Sequence, residues 1–285
     1  MIELRAYCKI NLGLDVTGRR DDGYHLVRMI MQSVGIYDVV CLEKRVDDRI
    51  AFTCTDKSLS GDDNLCVKAA RLLREAAGID AGVDIHLIKN NPVAAGMAGG
   101  STDAAAVLRG MDELFGLGLD RQQLIDIGVR VGADVPFCID GGTALCEGIG
   151  EVLTPIKMGE PRPTLLIAKP DVAVSTAGIY TRLDAIGEFG HPDIDGLQAA
   201  IEAGDWRGAG QRLGNVLELV TTADVPQIHE IKYMMLEGGA YGALMTGSGP
   251  TVFGLFENED AAEACRQSID ERGLCSFLQT TEMIV

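Results

Sequence analysis

Pro92-Val-Ala-Ala-Gly96-Met97-Ala98-Gly99-Gly100-Ser101-Thr102-Asp103-Ala104-Ala105-Ala106 is the stretch on which the reading of this chain turns. It follows Val83-Asp-Ile-His-Leu-Ile-Lys89, where Val83, Ile85 and Leu87 share one face and predict a strand. It leads into 104–115, where Ala104, Val107, Leu108, Met111 and Leu114 recur at helical spacing. Ser101 and Thr102 stand where N-cap residues belong. A strand, a glycine turn and a capped helix together describe an anion site. The first N–H groups of the helix and the positive end of its dipole face whatever the loop encloses, and glycine lets the backbone come close. A nucleotide phosphate suits such a loop.

Two familiar templates do not fit. No Lys-Ser/Thr pair closes the loop, and Ala98 and Ser101 break the Gly-x-Gly-x-x-Gly pattern of dinucleotide sites. Taken by itself, a Gly/Ala-rich loop is more commonly a tight turn. The rest of the chain has to decide.

With 285 residues the chain suits one large domain or two of ordinary size. Hydrophobic content of 47% and charged content of 24% predict a globular protein with a full core. No apolar run reaches the roughly 18 residues of a membrane span, and Glu3, Arg5 and Lys9 interrupt what would otherwise read as a secretory signal, so a cytoplasmic protein is expected. The eight cysteines are scattered, without Cys-x-x-Cys or paired His spacing, and are expected to be reduced. A net charge of −17 argues against nucleic acid as a partner. A small anion would have to be held by local N–H groups and a few placed cations.

Residues 2–16 alternate apolar and polar with unusual regularity. Period two puts Lys9 and Asn11 side by side on one face of a strand; the bland alternative is a half-solvated edge strand. Thr17–Gly23 is a charged turn running into Tyr24 and His25. Strands are predicted over Asp38–Val46 and Arg49–Thr55, around a hairpin at Asp47-Asp48. A helix capped by Asp62 or Asp63 should close at Gly78, and another should start at Asp120. Asp134 precedes Val135-Pro136; the proline pushes Val135 out of helical geometry, so Asp134 is expected at a helix-to-extended junction. The best linker lies at 157–163, which holds Gly159, Pro161 and Pro163. Beyond it come a strand at Thr164–Lys169 and a helix capped by Ser175 or Thr176 that runs through Tyr180 to Ile186. Two short helical stretches follow around Trp206 and Arg207, then a helix over Pro226–Leu236. The chain closes with strands at Tyr241–Met245 and Thr251–Phe256, a helix at Ala261–Arg272 and a strand at Ser276–Gln279. That order predicts helices on one face of an antiparallel sheet.

Three stretches carry features that local structure does not require: Lys9 with Asn11, the loop at 92–106, and the turn Thr246-Gly-Ser-Gly-Pro250. In these the chain resembles the GHMP kinases, whose motifs are a Lys-bearing N-terminal strand, a glycine-rich loop and a C-terminal glycine turn. The resemblance covers essentially the whole chain. Arg19-Arg20-Asp-Asp-Gly-Tyr24-His25, Asp63-Asn64-Leu65, Gly132-Ala-Asp-Val-Pro-Phe137 and Gly148-Ile-Gly-Glu151 are similar to the branch whose acceptor is a cytidine-diphosphate derivative of methylerythritol.

The resemblance implies an α+β protein of two domains. Residues 1–156 would form an ATP-binding α/β sandwich like the second domain of a small-subunit ribosomal protein. Residues 164–285 would form an antiparallel sheet with helices on one face. It implies ATP-dependent phosphorylation of the acceptor's 2-hydroxyl in isoprenoid precursor synthesis, with ATP and Mg2+ as cofactors. Lys9 and Asp134 would be catalytic; Asn11, Tyr24, His25 and Tyr180 would bind the acceptor. Tyr24 and Tyr180 would sandwich the cytosine while His25 reads its edge. Pro92, Gly96, Met97, Ala98, Gly99, Gly100, Ser101 and Thr102 would cradle the phosphates, with Ser101 or Thr102 adding a hydroxyl to phosphate or to Mg2+. Met97-Ala98 departs from the family's usual Leu-Gly, and Thr102 and Thr246 stand where Ser is usual. Ala98 restricts φ, so a loop that needs a positive φ there would have to be reshaped. The competing readings are a GHMP kinase for homoserine or mevalonate, and a nucleotide-binding regulator without catalysis.

Overall fold

A computed structural model of the chain describes Met1–Val285. The chain packs as two compact units that interleave in sequence. One comprises Met1–Cys8, Ile36–Asn91 and Ala98–Gly141; the other comprises Lys9–Gly35, Pro92–Met97 and Gly142–Val285. Two long strands, β1 (Ile2–Arg19) and β2 (His25–Lys44), contribute residues to both.

In the first unit, β3 (Ile50–Cys54) is followed by α1 (Leu65–Ala77), β4 (Val83–Ile88), α2 (Gly99–Phe115), α3 (Arg121–Val131) and α4 (Val135–Asp140). The expected hairpin at Asp47-Asp48 does not form. β4 lies between β2 and β3, antiparallel to the first and parallel to the second. Arg45 holds this corner by bridging Asp47 and Asp84, both at 2.6 Å, so the turn is tied to β4 and not to a hairpin partner. Nor do Asp62 and Asp63 cap α1: Asn64 does, accepting from the Cys66 N–H, and Gly78 closes the helix in the left-handed region as expected. α3 begins with a capping box between Asp120 and Gln123, as expected.

α2 is the centre of this unit and packs against α1, α3 and α4. Seven consecutive residues, Thr102–Leu108, are buried, so the helix is covered on all sides and not on one stripe. The three consecutive alanines are what such close neighbours allow. Gly110 marks where α2 meets the strands, since a Cβ there would lie 2.4 Å from Leu42 Cδ1 and 2.7 Å from Leu4 Cδ1.

The second unit adds β5 (Thr143–Glu147), β6 (Val152–Pro155), β7 (Thr164–Pro170), α5 (Thr176–Ile186), α6 (Ile194–Ala203), α7 (Trp206–Arg212), β8 (Gly214–Asn215), α8 (Glu218–Asp224), α9 (Gln227–Glu237), β9 (Gly242–Met245), β10 (Val252–Phe256), α10 (Glu259–Glu271) and β11 (Cys275–Thr281). β5 pairs with Met29–Gln32 of β2 and with β6, and β8 pairs parallel with Gly13–Leu14 of β1. The second sheet has the order β11-β7-β10-β9, antiparallel throughout, with α9 and α10 packed on it, as the sequence predicts. The segment 157–163 joins β6 to β7.

Residues 25–37 of β2 are missing from the sequence reading because Met29–Val34 are buried on both faces, the polar Gln32 and Ser33 included, so no period of two shows. The edge-strand alternative for residues 2–16 fails because β1 lies between β2 and β8, although its first residues are half-solvated, with Glu3 and Arg5 exposed. From Cys8 to Val16 every residue of β1 is buried. α6 covers one of its faces, where a Cβ on Gly13 would meet Ile194 and Leu197 within 2.8 Å. No helix is long and apolar enough to cross a membrane, and none of the eight cysteines forms a disulfide.

Candidate active site

Lys9 and Asn11 lie buried on β1, 4% and 0% exposed. Lys9 Nζ donates to Asn11 Oδ1 at 2.8 Å and to the Gly96 carbonyl at 3.5 Å, and the Lys9 N–H donates to the Met97 carbonyl at 3.2 Å. The strand therefore grips the glycine loop from both backbone and side chain. Thr246 completes the arrangement. Its hydroxyl accepts from the Asn11 N–H at 2.9 Å and lies 3.3 Å from Asn11 Oδ1 and 3.4 Å from the Gly96 carbonyl. Thr in place of Ser preserves every one of these contacts.

The loop and the Thr246–Pro250 turn meet backbone to backbone. A Cβ on Gly96 (φ 74°) would lie 2.4 Å from the Thr246 carbonyl oxygen, and one on Gly247 (φ 57°) would lie 2.7 Å from that of Gly96. Only glycine fits at either position. Asn215 pins the turn by donating to the Met245 and Gly247 carbonyls, both at 2.8 Å.

Ala98 takes the left-handed conformation that its side chain disfavours, at φ 57° and ψ 26°. The backbone adopts the positive φ despite the methyl group, at a cost of roughly 1–2 kcal/mol for a non-glycine residue. Ala98 is also the N-cap of α2, a role the sequence reading gave to Ser101 and Thr102. Its carbonyl accepts from the Ser101 and Thr102 N–H groups at 2.8 and 2.9 Å, so those residues lie inside the first turn. No side chain caps the helix, and the N–H groups of Gly99 and Gly100 in its first turn remain available to an anion. The Thr102 hydroxyl is spent on the Gly99 carbonyl at 2.8 Å, whereas Ser101 is half-buried.

Asp134 sits at the N-cap of α4 with φ −83° and ψ −13°, and its side chain does not cap that helix. Val135 is helical, contrary to the sequence expectation. Pro136 occupies the first turn, where its missing N–H costs nothing and its fixed φ suits the helix.

His25 opens β2 and its ring lies 4.8 Å from that of Tyr180 on α5, tilted by 33°. Its Nε2 is 2.7 Å from Asp184 Oδ1, and Arg19 reaches the other oxygen of that carboxylate at 3.1 Å. Arg19, His25 and Asp184 line a hollow of about 570 Å3 together with Val16, Phe189 and His191. Tyr24 stands outside this group on the turn, 57% exposed. The sequence reading missed Asp184, Arg19 and the contact that joins Thr246 to Asn11. Asp184 did carry a signal, being one helical turn beyond Tyr180.

The family model for the GHMP kinases N terminal domain matches residues 64–142, and that for the GHMP kinases C terminal domain matches residues 197–274. The chain belongs to the GHMP kinase family. Among similar members, a protein from Caldicellulosiruptor saccharolyticus is 50% identical over 92% of this chain and 90% of its own length. One from Lachnospira eligens is 47% identical over 99% of this chain and 98% of its own. Both are named 4-diphosphocytidyl-2-C-methyl-D-erythritol kinase. A crystal structure of 4-(cytidine 5'-diphospho)-2C-methyl-D-erythritol kinase superposes with a TM-score of 0.82 at 32% identity, over 99% of both chains. The homoserine kinase of Cytophaga hutchinsonii reaches a TM-score of 0.80 at 20% identity, over 99% of this chain and 94% of its own, which is a likeness of fold. Within this GHMP kinase, the Lys-bearing strand, the glycine turn and the start of the glycine loop are joined by the hydrogen bonds described above.

Proposed function

We propose that this GHMP kinase transfers the γ-phosphoryl group of ATP to the 2-hydroxyl of 4-diphosphocytidyl-2-C-methyl-D-erythritol. The observation that carries the choice of acceptor is the His25–Asp184–Tyr180 group. An aromatic face beside a ring nitrogen anchored by a carboxylate suits a flat heterocycle with polar edges. Mevalonate and homoserine have no base for it to hold. The relatives that share about half of the sequence over nearly all of its length carry the same name.

Phosphoryl transfer asks mainly for positioning and charge stabilisation. The uncapped first turn of α2 would hold phosphate oxygens on the Gly99 and Gly100 N–H groups and the Ser101 hydroxyl, with Gly96, Met97 and Ala98 shaping the backbone. We assign to Asp134 the orientation of the acceptor hydroxyl and receipt of its proton. In a loose transition state that proton leaves late, when the oxygen is already bonding to phosphorus. Lys9, with its ammonium fixed by Asn11, offsets the charge on the transferring group. ATP would be used as its Mg2+ complex. Ser101 is the hydroxyl suited to reach it, and Mg2+ when bound would neutralise phosphate charge. We keep 157–163 as the boundary between two family domains, since the two matched segments fall on either side of it.

The test is turnover of ATP with the cytidyl alcohol, mevalonate and homoserine offered separately. Phosphorylation of the cytidyl alcohol alone is expected. Turnover of either of the other two, with none of the cytidyl alcohol, overturns the assignment.

A further inference from the structure

A buried ionic cluster lies beside the glycine loop, among residues that the reaction does not use. Lys89, just beyond β4, places its ammonium between two carboxyl groups. It donates to Asp103 Oδ2 at 2.8 Å and to Asp38 Oδ2. Asp38 is 0% exposed and Asp103 2%. Asp38 also accepts the Asn90 N–H at 2.6 Å, the Asn91 N–H at 2.8 Å and Asn91 Nδ2 at 2.7 Å, fixing the chain where it enters the loop. On the exit side Asp103 is part of α2, and the ammonium lies close beneath Gly99: a Cβ there would be 3.1 Å from Lys89 Nζ.

One ammonium therefore ties both ends of the loop to β2. Hydrophobic packing would fill this space at no loss of stability, because desolvation offsets most of what a buried ion pair gains. What the ions add is directional geometry at a place where small backbone displacements matter. Phosphate oxygens on the N–H groups of Gly99 and Gly100 need those groups aimed to within a fraction of an ångström.

We propose that Lys89, Asp38 and Asp103 are positioning residues for ATP: an ionic staple that closes the glycine loop and sets the aim of the first N–H groups of α2. The proposal rests on the reading that those groups hold the nucleotide's phosphates.

The experiment measures KM for ATP, KM for the cytidyl alcohol, and kcat in the full chain. Asp103→Leu keeps the approximate shape but removes the acceptor on Lys89. It is expected to raise KM for ATP by about tenfold, with kcat and the acceptor KM within about twofold of the parent. Asp103→Asn, whose side-chain oxygen still accepts from Lys89, should restore KM for ATP to within about threefold. If Asp103→Leu does not fold, Lys89→Arg takes its place and should give the same split, because a planar fork cannot sit as a point between the two carboxyl groups. An unchanged KM for ATP in a folded variant, or an equal rise in both KM values, overturns the staple. Failure of the parent protein to use ATP at all would instead overturn the function on which it rests.

Discussion

The ammonium of Lys9 is held 2.8 Å from the side-chain oxygen of Asn11, two residues along the same strand, with both side chains almost wholly out of solvent. A buried ammonium needs acceptors, and here one of them also receives the Thr246 hydroxyl at 3.3 Å. The cation is thereby fixed before any substrate arrives. Preorganised charge of this kind is what phosphoryl transfer exploits.

Lys9→Ala should lower kcat by at least about 100-fold while ATP still binds. Asn11→Ala, which leaves the charge but removes its fixed acceptor, should lower kcat by about tenfold. Steady-state kinetics with an independent nucleotide-binding assay separates the two effects. Full activity of Lys9→Ala would remove the residue from the mechanism.

Asp134→Ala should also lose at least about 100-fold in kcat, with KM for ATP little changed. Asp134→Asn should be similarly impaired, since an amide can orient a hydroxyl but cannot take its proton. An asparagine variant with parental kcat would leave Asp134 an orienting role only.

The left-handed residues of the loop give opposite expectations. Ala98→Gly relieves about 1–2 kcal/mol of backbone strain and gives back roughly 0.5–1 kcal/mol through the freer unfolded chain. Stability in urea should hold or rise slightly. Gly96→Ala puts a methyl 2.4 Å from the Thr246 carbonyl oxygen at φ 74° and should destabilise by about 2 kcal/mol or more. Equal midpoints for the two variants would contradict this account of the loop.

At the proposed acceptor group, His25→Ala and Tyr180→Ala should each raise the KM of the cytidyl alcohol at least about tenfold and leave that of ATP within about twofold. Tyr24→Ala should have a smaller effect than either, because its ring is exposed and outside the His25–Tyr180 pair. The ranking is read directly from the three acceptor KM values, and a Tyr24 effect equal to the others reverses it.

Burial, aided by the neighbouring Asp38 carboxylate, raises the Asp103 pKa to about 8 against the pull of Lys89. A carboxyl whose pKa is raised on folding contributes stability that is fully present below its unfolded pKa and is lost as pH rises through the folded one. Between about pH 4 and pH 8, Asp103 should therefore make stability fall with increasing pH. Asp103→Asn, which cannot ionise, should flatten that slope in thermal denaturation. Aspartates held low by arginines, Asp47 and Asp195 among them, act with opposite sign and at lower pH. Parallel pH profiles for parent and variant would show that Asp103 does not titrate in this window.

By itself the sequence determined the strand, glycine turn and helix at 83–115, the antiparallel C-terminal sheet, and the pairing of Lys9 with Asn11. These follow from period, turn chemistry and small-residue runs, all of which act within a few residues. Tertiary structure alone decided what lies opposite. Asp184 reaches His25 across 159 residues, Thr246 reaches Asn11 across 235, and Asp38 anchors Lys89 across 51. It also set β4 between β2 and β3, and it held Ala98 at a positive φ that its own side chain opposes. The reason is physical. Local pattern reports which face of an element is apolar, whereas the partner of a buried polar group is chosen by whichever distant element packing brings against it.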